Sequence, residues 1–135
     1  MKVGYLNIAR SLKKKIGILE CILTSNNYDM FGVAEIDLDC YSSPNAVEGY
    51  DVITHRNEDG LSRICVYVHP VVHHSLQIEG KIVLNDKACS SIIIHLAQCS
   101  VAFLYNGFTQ NPYKQESKRL SEKDMCNNVI LNVYY

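Results

Sequence analysis

The sequence LNIARSL at residues 6–12 is followed, one helix length later, by YDMFGVAE at residues 28–35. Each half holds an apolar strand with one polar side chain at its C-terminal end, Asn7 in the first and Glu35 in the second. Between them, residues 11–24 carry an apolar stripe at spacings of three and four, which predicts a helix with Ser11 as its N-cap. Strand, helix and strand over about 30 residues predict a β-α-β unit.

Asn7 and Glu35 both carry oxygen atoms, which are the ligands that a hard divalent metal ion prefers. Mg²⁺ keeps several of its waters and often takes only one or two carboxylates from a protein. The pattern alone, however, favours a simpler interpretation, in which Asn7 caps its strand and Glu35 is a solvated loop residue. Both interpretations stay open at this point.

The rest of the sequence predicts short strands and one further helix. The strand at residues 29–34 is apolar throughout, as in strands that are buried on both faces. Apolar runs at residues 90–96 and 101–106 predict an antiparallel hairpin. Further strands are predicted at residues 50–54, 64–69, 71–78, 82–84 and 129–133, and an exposed helix at residues 114–127. The 135 residues therefore predict a single α/β domain, residues 1–135, with a mixed, mostly antiparallel sheet and flanking helices.

The composition restricts the cellular setting. With 13 basic and 14 acidic side chains, the chain has no global field that would attract nucleic acid or membrane, so any such contact needs a local patch. No apolar run is long enough to span a bilayer, and no secretory signal is recognisable. The six cysteines match no zinc spacing, and reduced thiols are expected. We therefore expect an intracellular protein, cytoplasmic or nuclear, without membrane contact.

Several short motifs, in order, resemble the endonuclease/exonuclease/phosphatase superfamily, most closely the apurinic-endonuclease-like domain of non-LTR retrotransposons. Those domains typically read Asn-x-Arg-Ser-Leu, then Asp-hydrophobic-hydrophobic, then Thr-Glu-Thr-Trp-Leu. The corresponding stretches here are NIARSL at residues 7–12 and AEIDLD at residues 34–39. Further matches follow in order: Gly49-Tyr50, His55-Arg56 before a turn, ICVYV at residues 64–68, and VAFLYNGF at residues 101–108 with Pro112.

The resemblance implies a fold, an activity and a set of site residues. The family fold is a four-layer α/β sandwich, of which this chain would be the N-terminal half. Members of the family cleave phosphodiester or phosphomonoester bonds with the help of Mg²⁺ or Mn²⁺. By resemblance, Glu35 would bind the metal ion, Asn7 would help to place the metal ion and the phosphate, and Tyr105 would be the catalytic residue at the scissile phosphate. Contacts to phosphate or nucleic acid are expected from Arg10, His55 and Arg56.

The second half of the family's active site is not recognisable in this sequence. The family carries a Gly-Asp-Phe-Asn segment, whose Asp activates the nucleophile, and later a Ser-Asp-His. Here NVIL at residues 128–131 resembles the strand before the first segment, so Val133 and Tyr135 stand where its Asp and Asn would be. No Ser-Asp-His follows within the 135 residues, and the family's glycine-rich turn is reduced to GLSR at residues 60–63. The sequence thus predicts an endonuclease-like domain with impaired catalysis.

A non-catalytic structural or binding subunit is the main alternative. A chain with strands for about one sheet would expose an apolar face, which predicts a homo-oligomer or a protein partner. Nucleic acid is a candidate partner through the lysines at residues 13–15, although such a run is more often a solvated helix face. His69, His73 and His74 could include a metal ligand, but ordinary surface histidines are the simpler expectation. A coincidental resemblance in a small α/β protein is the weakest interpretation.

Overall fold

The computed structural model describes residues 1–57, 60–73 and 89–106. Within these ranges the elements are β1 Val3–Asn7, α1 Leu12–Asn26, β2 Met30–Leu38, β3 Asp51–Thr54, β4 Ser62–Val68, α2 Pro70–His73, β5 Cys89–His95 and β6 Ser100–Asn106. Four strands form a sheet in the order β1-β2-β4-β3, and β5 and β6 form a separate hairpin. β1 is parallel to β2, and the other pairs are antiparallel. The predicted α/β class, the β-α-β unit and the hairpin are confirmed.

Helix α1 covers one face of the four-stranded sheet. Its buried side chains, Leu12, Leu19 and Leu23, follow spacings of seven and four and lie on one side of the helix. They pack against alternate residues of the two central strands, which are Phe31 and Val33 of β2 and Cys65 and Tyr67 of β4. A fully buried leucine contributes about 1.5–3 kcal/mol, so this apolar stripe is what holds the helix on the sheet.

The hairpin covers the opposite face of the same two strands. The intervening residues of β2 and β4 pack there against the hairpin in a second cluster, formed by Met30, Ile64, Val66, Val68, Ile92, Ile94 and Phe103. A Cβ atom built on Gly32 would lie only 2.2 Å from Cδ1 of Phe103, so only glycine permits the hairpin to approach β2 this closely. β2 and β4 are therefore buried on both faces, as the apolar run at residues 29–34 predicts.

Two local predictions are wrong, and one is confirmed only in part. Residues 71–73 belong to helix α2 and not to a strand, because Pro70 fixes a φ angle that suits a first helical turn. Ser11 occupies the predicted N-cap position of α1, but it has a left-handed backbone and its side chain makes no capping hydrogen bond. β2 continues to Leu38, so Glu35 lies inside the strand and not at its end.

The remaining predictions fall partly outside the described residues. Outside them lie the strands expected at 82–84 and 129–133, the helix expected at 114–127, and residues 74–78 of the strand expected at 71–78.

Four of the cysteines in the described residues, Cys21, Cys40, Cys65 and Cys99, are free thiols. In the part of the chain that the structure describes, no helix is long and apolar enough to cross a bilayer.

Candidate functional site

The end of β1 lies beside the point of β2 where Glu35 follows Ala34. Asn7 pairs with Ala34 in the parallel register. The Asn7 side-chain oxygen accepts a hydrogen bond from the backbone N–H of Ala9, at 2.9 Å, which turns the chain as it leaves β1. The N–H of Arg10 then donates to the Glu35 carbonyl at 2.8 Å. The loop after β1 is thus bonded directly to the backbone of Glu35.

Left-handed backbone is concentrated at this point. The described non-glycine residues with positive φ are Ala9, Arg10, Ser11, Glu35 and Asp37 here, together with Asn27 at the C-cap of α1. Such conformations cost about 1–3 kcal/mol each for residues with a Cβ, and they persist where surrounding contacts hold them. Their clustering marks the junction of β1 and β2 as a candidate functional site.

A bulge in β2 carries the two acidic side chains. Ala34 pairs with Ile64 and Leu38 pairs with Ser62, so residues 35–37 lie opposite the single residue 63. This crowding of three residues against one bends the strand and changes the direction of its side chains. The middle residue, Ile36, is buried, whereas Glu35 and Asp37 on either side of it are half-buried.

The fold brings Tyr105 to Glu35. The hydroxyl of Tyr105, on β6, donates a hydrogen bond to Oε1 of Glu35 at 3.2 Å. Burial, followed by the negative charge of Glu35, its hydrogen bond and the charge of Asp37, raises the pKa of Tyr105 to about 12, while Arg63 acts in the opposite direction. The hydroxyl therefore stays protonated at neutral pH and serves as a hydrogen-bond donor.

The three predicted phosphate contacts lie in different surroundings. Nε of Arg10 is 3.1 Å from Oδ2 of Asp37, so Arg10 stands beside the acidic pair, although its side chain is 77% exposed. Arg56 is exposed. Hydrogen bonds from Ser42 and Tyr41 lower the pKa of Asp39, and the positive charge of Arg56 lowers it slightly further. His55, the residue after β3, is half-buried with its Nδ1 atom enclosed.

Sequence reasoning missed several residues around this site. Asp37 had a visible signal, because it follows Glu35 by two residues within one strand. Arg63 had none, since its place opposite the bulge depends on the register of β2 and β4. Asn57 also gave no signal in the sequence. Its side-chain amide donates to the Ser90 hydroxyl at 2.8 Å and accepts from it at 3.2 Å. Ser90 pairs with Tyr105 in the hairpin.

The oxygen donors at the site suit a hard divalent cation. Among the described residues, no group of three or more His, Cys, Asp or Glu side chains could hold a metal ion. Mg²⁺ and similar ions can be bound through one or two carboxylates with retained waters, so the Glu35 carboxylate and the Asn7 amide oxygen, which accepts a hydrogen bond from the N–H of Ala9, are the donors that such an ion could use. At the predicted histidine cluster, Nδ1 of His69 accepts a hydrogen bond from the N–H of Val71 at 3.3 Å.

The fold was compared with solved structures. The chain is similar to the endonuclease domain of TRAS1, a telomere-specific non-LTR retrotransposon, with a TM-score of 0.53 and 17% sequence identity. The match covers 88% of this chain and 52% of that chain, so the chain spans about half the length of that domain. No family model and no curated protein sequence matches. The chain therefore has an endonuclease-like fold.

Proposed function

We propose that this chain is an endonuclease-like domain that holds a divalent cation, Mg²⁺ or Mn²⁺, at Glu35 and binds nucleic-acid phosphate beside it, with impaired catalysis. The observation that carries the proposal is the hydrogen bond from Tyr105 to Glu35. It brings together two residues that the retrotransposon-type motifs single out, in a chain with an endonuclease-like fold.

The proposed roles follow from the chemistry of each side chain. The Glu35 carboxylate would hold the cation, and the Asn7 amide oxygen would contact the ion or orient the phosphate. A bound divalent cation activates water and neutralises phosphate charge. The hydroxyl of Tyr105 has a single proton, which it donates to Glu35 in this structure; with a cation on Glu35, it would donate its hydrogen bond to a phosphate oxygen instead. Further phosphate contacts would come from Arg10, His55 and Arg56.

Impaired catalysis is proposed because of two substitutions in the sequence. Val133 and Tyr135 stand where the related domains carry the Asp and Asn of Gly-Asp-Phe-Asn. A valine side chain can neither accept a proton nor orient a water molecule. Phosphate binding needs no such base, so binding would persist where turnover does not.

Metal binding and strand cleavage should be measured on the same protein. We expect Mn²⁺ binding, followed by electron paramagnetic resonance, to be lost in Glu35→Ala and retained in Glu48→Ala, which removes an exposed carboxylate from the loop before β3. Plasmid nicking with Mg²⁺ should not exceed background in any of these proteins. Nicking by the wild type that disappears in Glu35→Ala would refute the impairment, and absence of Mn²⁺ binding would refute the metal site.

The alternative function is a non-catalytic binding or oligomerisation module. Among the described strands, β1 lies at one edge of the four-stranded sheet, and its Val3 and Tyr5 are 39% and 46% exposed. A groove of about 360 Å³ is lined by residues 3–5 of β1 and residues 101–104 of β6. An exposed edge can pair with a strand of a second copy or of another protein. Sedimentation at micromolar concentration tests this: an oligomer that Val3→Lys dissociates would favour it, and a monomer would refute self-association.

A further inference from the structure

The hairpin of β5 and β6 directs one row of cross-strand residue pairs towards the four-stranded sheet. Ile92 and Phe103 form one pair of this row, and both pack in the second apolar cluster. Two positions further along each strand, Ser90 pairs with Tyr105. Side chains two positions apart on a strand point to the same side, so this polar pair also faces the sheet.

Both members of the polar pair form side-chain hydrogen bonds across the two layers. Ser90 is buried, and its hydroxyl accepts from the side-chain amide of Asn57 at 2.8 Å and donates to it at 3.2 Å. Tyr105 donates to the Glu35 carboxylate at 3.2 Å. The hairpin is therefore bonded to the sheet layer from β5 and from β6 at the same pair of residues.

The backbone of Asn57 is held in the turn between β3 and β4. Its N–H donates to the carbonyl of Leu61 at 2.8 Å, and its carbonyl accepts from the N–H of Gly60 at 2.9 Å. β4 begins directly after this turn, at Ser62. Because these bonds already fix the backbone, ordering the half-buried Asn57 side chain costs only its own rotamer freedom. Asn57 is thus a fixed anchor for the hairpin.

We propose that Asn57 is a positioning residue of the candidate site, which acts through Ser90 to hold Tyr105 at Glu35. Without the bond between Asn57 and Ser90, the paired residues of the hairpin are free to move away from the sheet. A hydrogen bond weakens steeply as its geometry is lost, so a small movement is sufficient to break the bond to Glu35. The phosphate contact of Tyr105 rests on the proposed function, whereas its position beside Glu35 does not.

The first experiment observes the Tyr105 hydroxyl group by nuclear magnetic resonance. The full 135-residue chain carries ¹³C at the ring carbon that bears each tyrosine hydroxyl. Tyr105→Phe assigns the signal, and Glu35→Ala gives its position without the bond. We expect Asn57→Ala and Ser90→Ala each to move the signal most of the way towards that position. Asn57→Asp keeps an oxygen that accepts from Ser90 and should leave the signal near its wild-type position.

Asn26→Ala is the matched control for the loss of a side-chain amide. Asn26 is exposed at the end of α1, and its amide donates to the carbonyl of Ile22 at 2.9 Å. The control should leave the Tyr105 signal unchanged. A signal that stays in place in both Asn57→Ala and Ser90→Ala would overturn the inference. If circular dichroism shows that neither of these two variants folds, the bond is a requirement of the fold, and the positioning role is likewise overturned.

The second experiment measures the Mg²⁺-dependent binding of a fluorescein-labelled DNA duplex. Asn57→Ala and Tyr105→Phe should each weaken binding by about fivefold, the equivalent of one hydrogen bond. The double variant should bind as Tyr105→Phe does, because Asn57 acts only through Tyr105. An equal further loss in the double variant would give Asn57 a contact of its own and overturn the inference. Absence of binding in every protein, with a Tyr105 signal that moves as expected, would refute the proposed function and uphold the positioning of Tyr105.

Discussion

The hydroxyl of Tyr105 lies 3.2 Å from the Glu35 carboxylate, although 70 positions separate the two residues in the sequence. Tyr105 belongs to the hairpin and Glu35 to the four-stranded sheet, so the bond joins two layers of the fold. It lies where the β2 strand bulges and where the loop after β1 bonds to the backbone of Glu35. This relationship turns two separate sequence motifs into one site.

The Tyr105–Glu35 bond should contribute measurably to stability. Tyr105→Phe removes the donor and leaves the ring, and we expect it to lower the free energy of unfolding by about 1 kcal/mol. Tyr41→Phe is the matched control, because Tyr41 is 95% exposed, and should change stability by less than about 0.5 kcal/mol. Urea denaturation measures both values. Equal effects of the two substitutions would contradict the importance of the bond.

Gly32 and Gly17 should respond to alanine in opposite directions. A Cβ at Gly32 would lie 2.2 Å from Phe103 and 2.8 Å from Tyr5, so Gly32→Ala must push the hairpin from the sheet and should cost about 1–3 kcal/mol. Gly17 lies in α1, and apart from its chain neighbours and the backbone of its own helix no atom lies within 4 Å of an added Cβ, so Gly17→Ala should stabilise by about 0.5–1 kcal/mol. Thermal unfolding distinguishes the two. A neutral Gly32→Ala would show that the hairpin does not approach β2 this closely.

The thiol of Cys65 should resist alkylation in the folded protein. Burial raises the pKa of Cys65 to about 12, so little thiolate forms near pH 8, and reagents cannot reach the sulfur. Cys21 and Cys40 are exposed and should react with iodoacetamide within minutes. Peptide mapping by mass spectrometry measures each site separately. Labelling of Cys65 at the rate of Cys21, without denaturant, would contradict its burial in the core.

Stability should fall as the pH rises above about 9. Burial is the main cause that raises the pKa of Cys65 from 9.0 and those of Tyr5 and Tyr105 from 10.0, each to about 12. Between these ordinary values and about 12, the unfolded chain loses protons that the folded chain keeps, so ionisation favours unfolding. The full contribution is present below pH 9 and is lost progressively towards pH 12. Urea midpoints that stay level from pH 8 to pH 11 would contradict this prediction.

Local regularities in the sequence were sufficient for much of the fold. The apolar stripe of residues 11–24 predicts α1, and the two runs at 90–96 and 101–106 predict the hairpin, because helix and strand periods are expressed within a few consecutive residues. The continuous apolar run of β2 also predicts its burial on both faces. Two local predictions failed. Pro70 begins a short helix where a strand was predicted, and the Ser11 side chain makes no capping hydrogen bond at the start of α1.

The sequence by itself determined the β-α-β unit and the hairpin, and it marked Asn7 and Glu35 as polar residues at strand ends, since those depend on residue type and spacing. Tyr105 became a candidate only through the resemblance of its motif to the endonuclease family. Only the tertiary structure decided that β2 bulges at residues 35–37, that Arg63 lies opposite the bulge, and that Tyr105 bonds to Glu35. The physical reason is strand register. Which residues face each other across a sheet depends on pairing between distant segments, and a shift of one position would change every such contact.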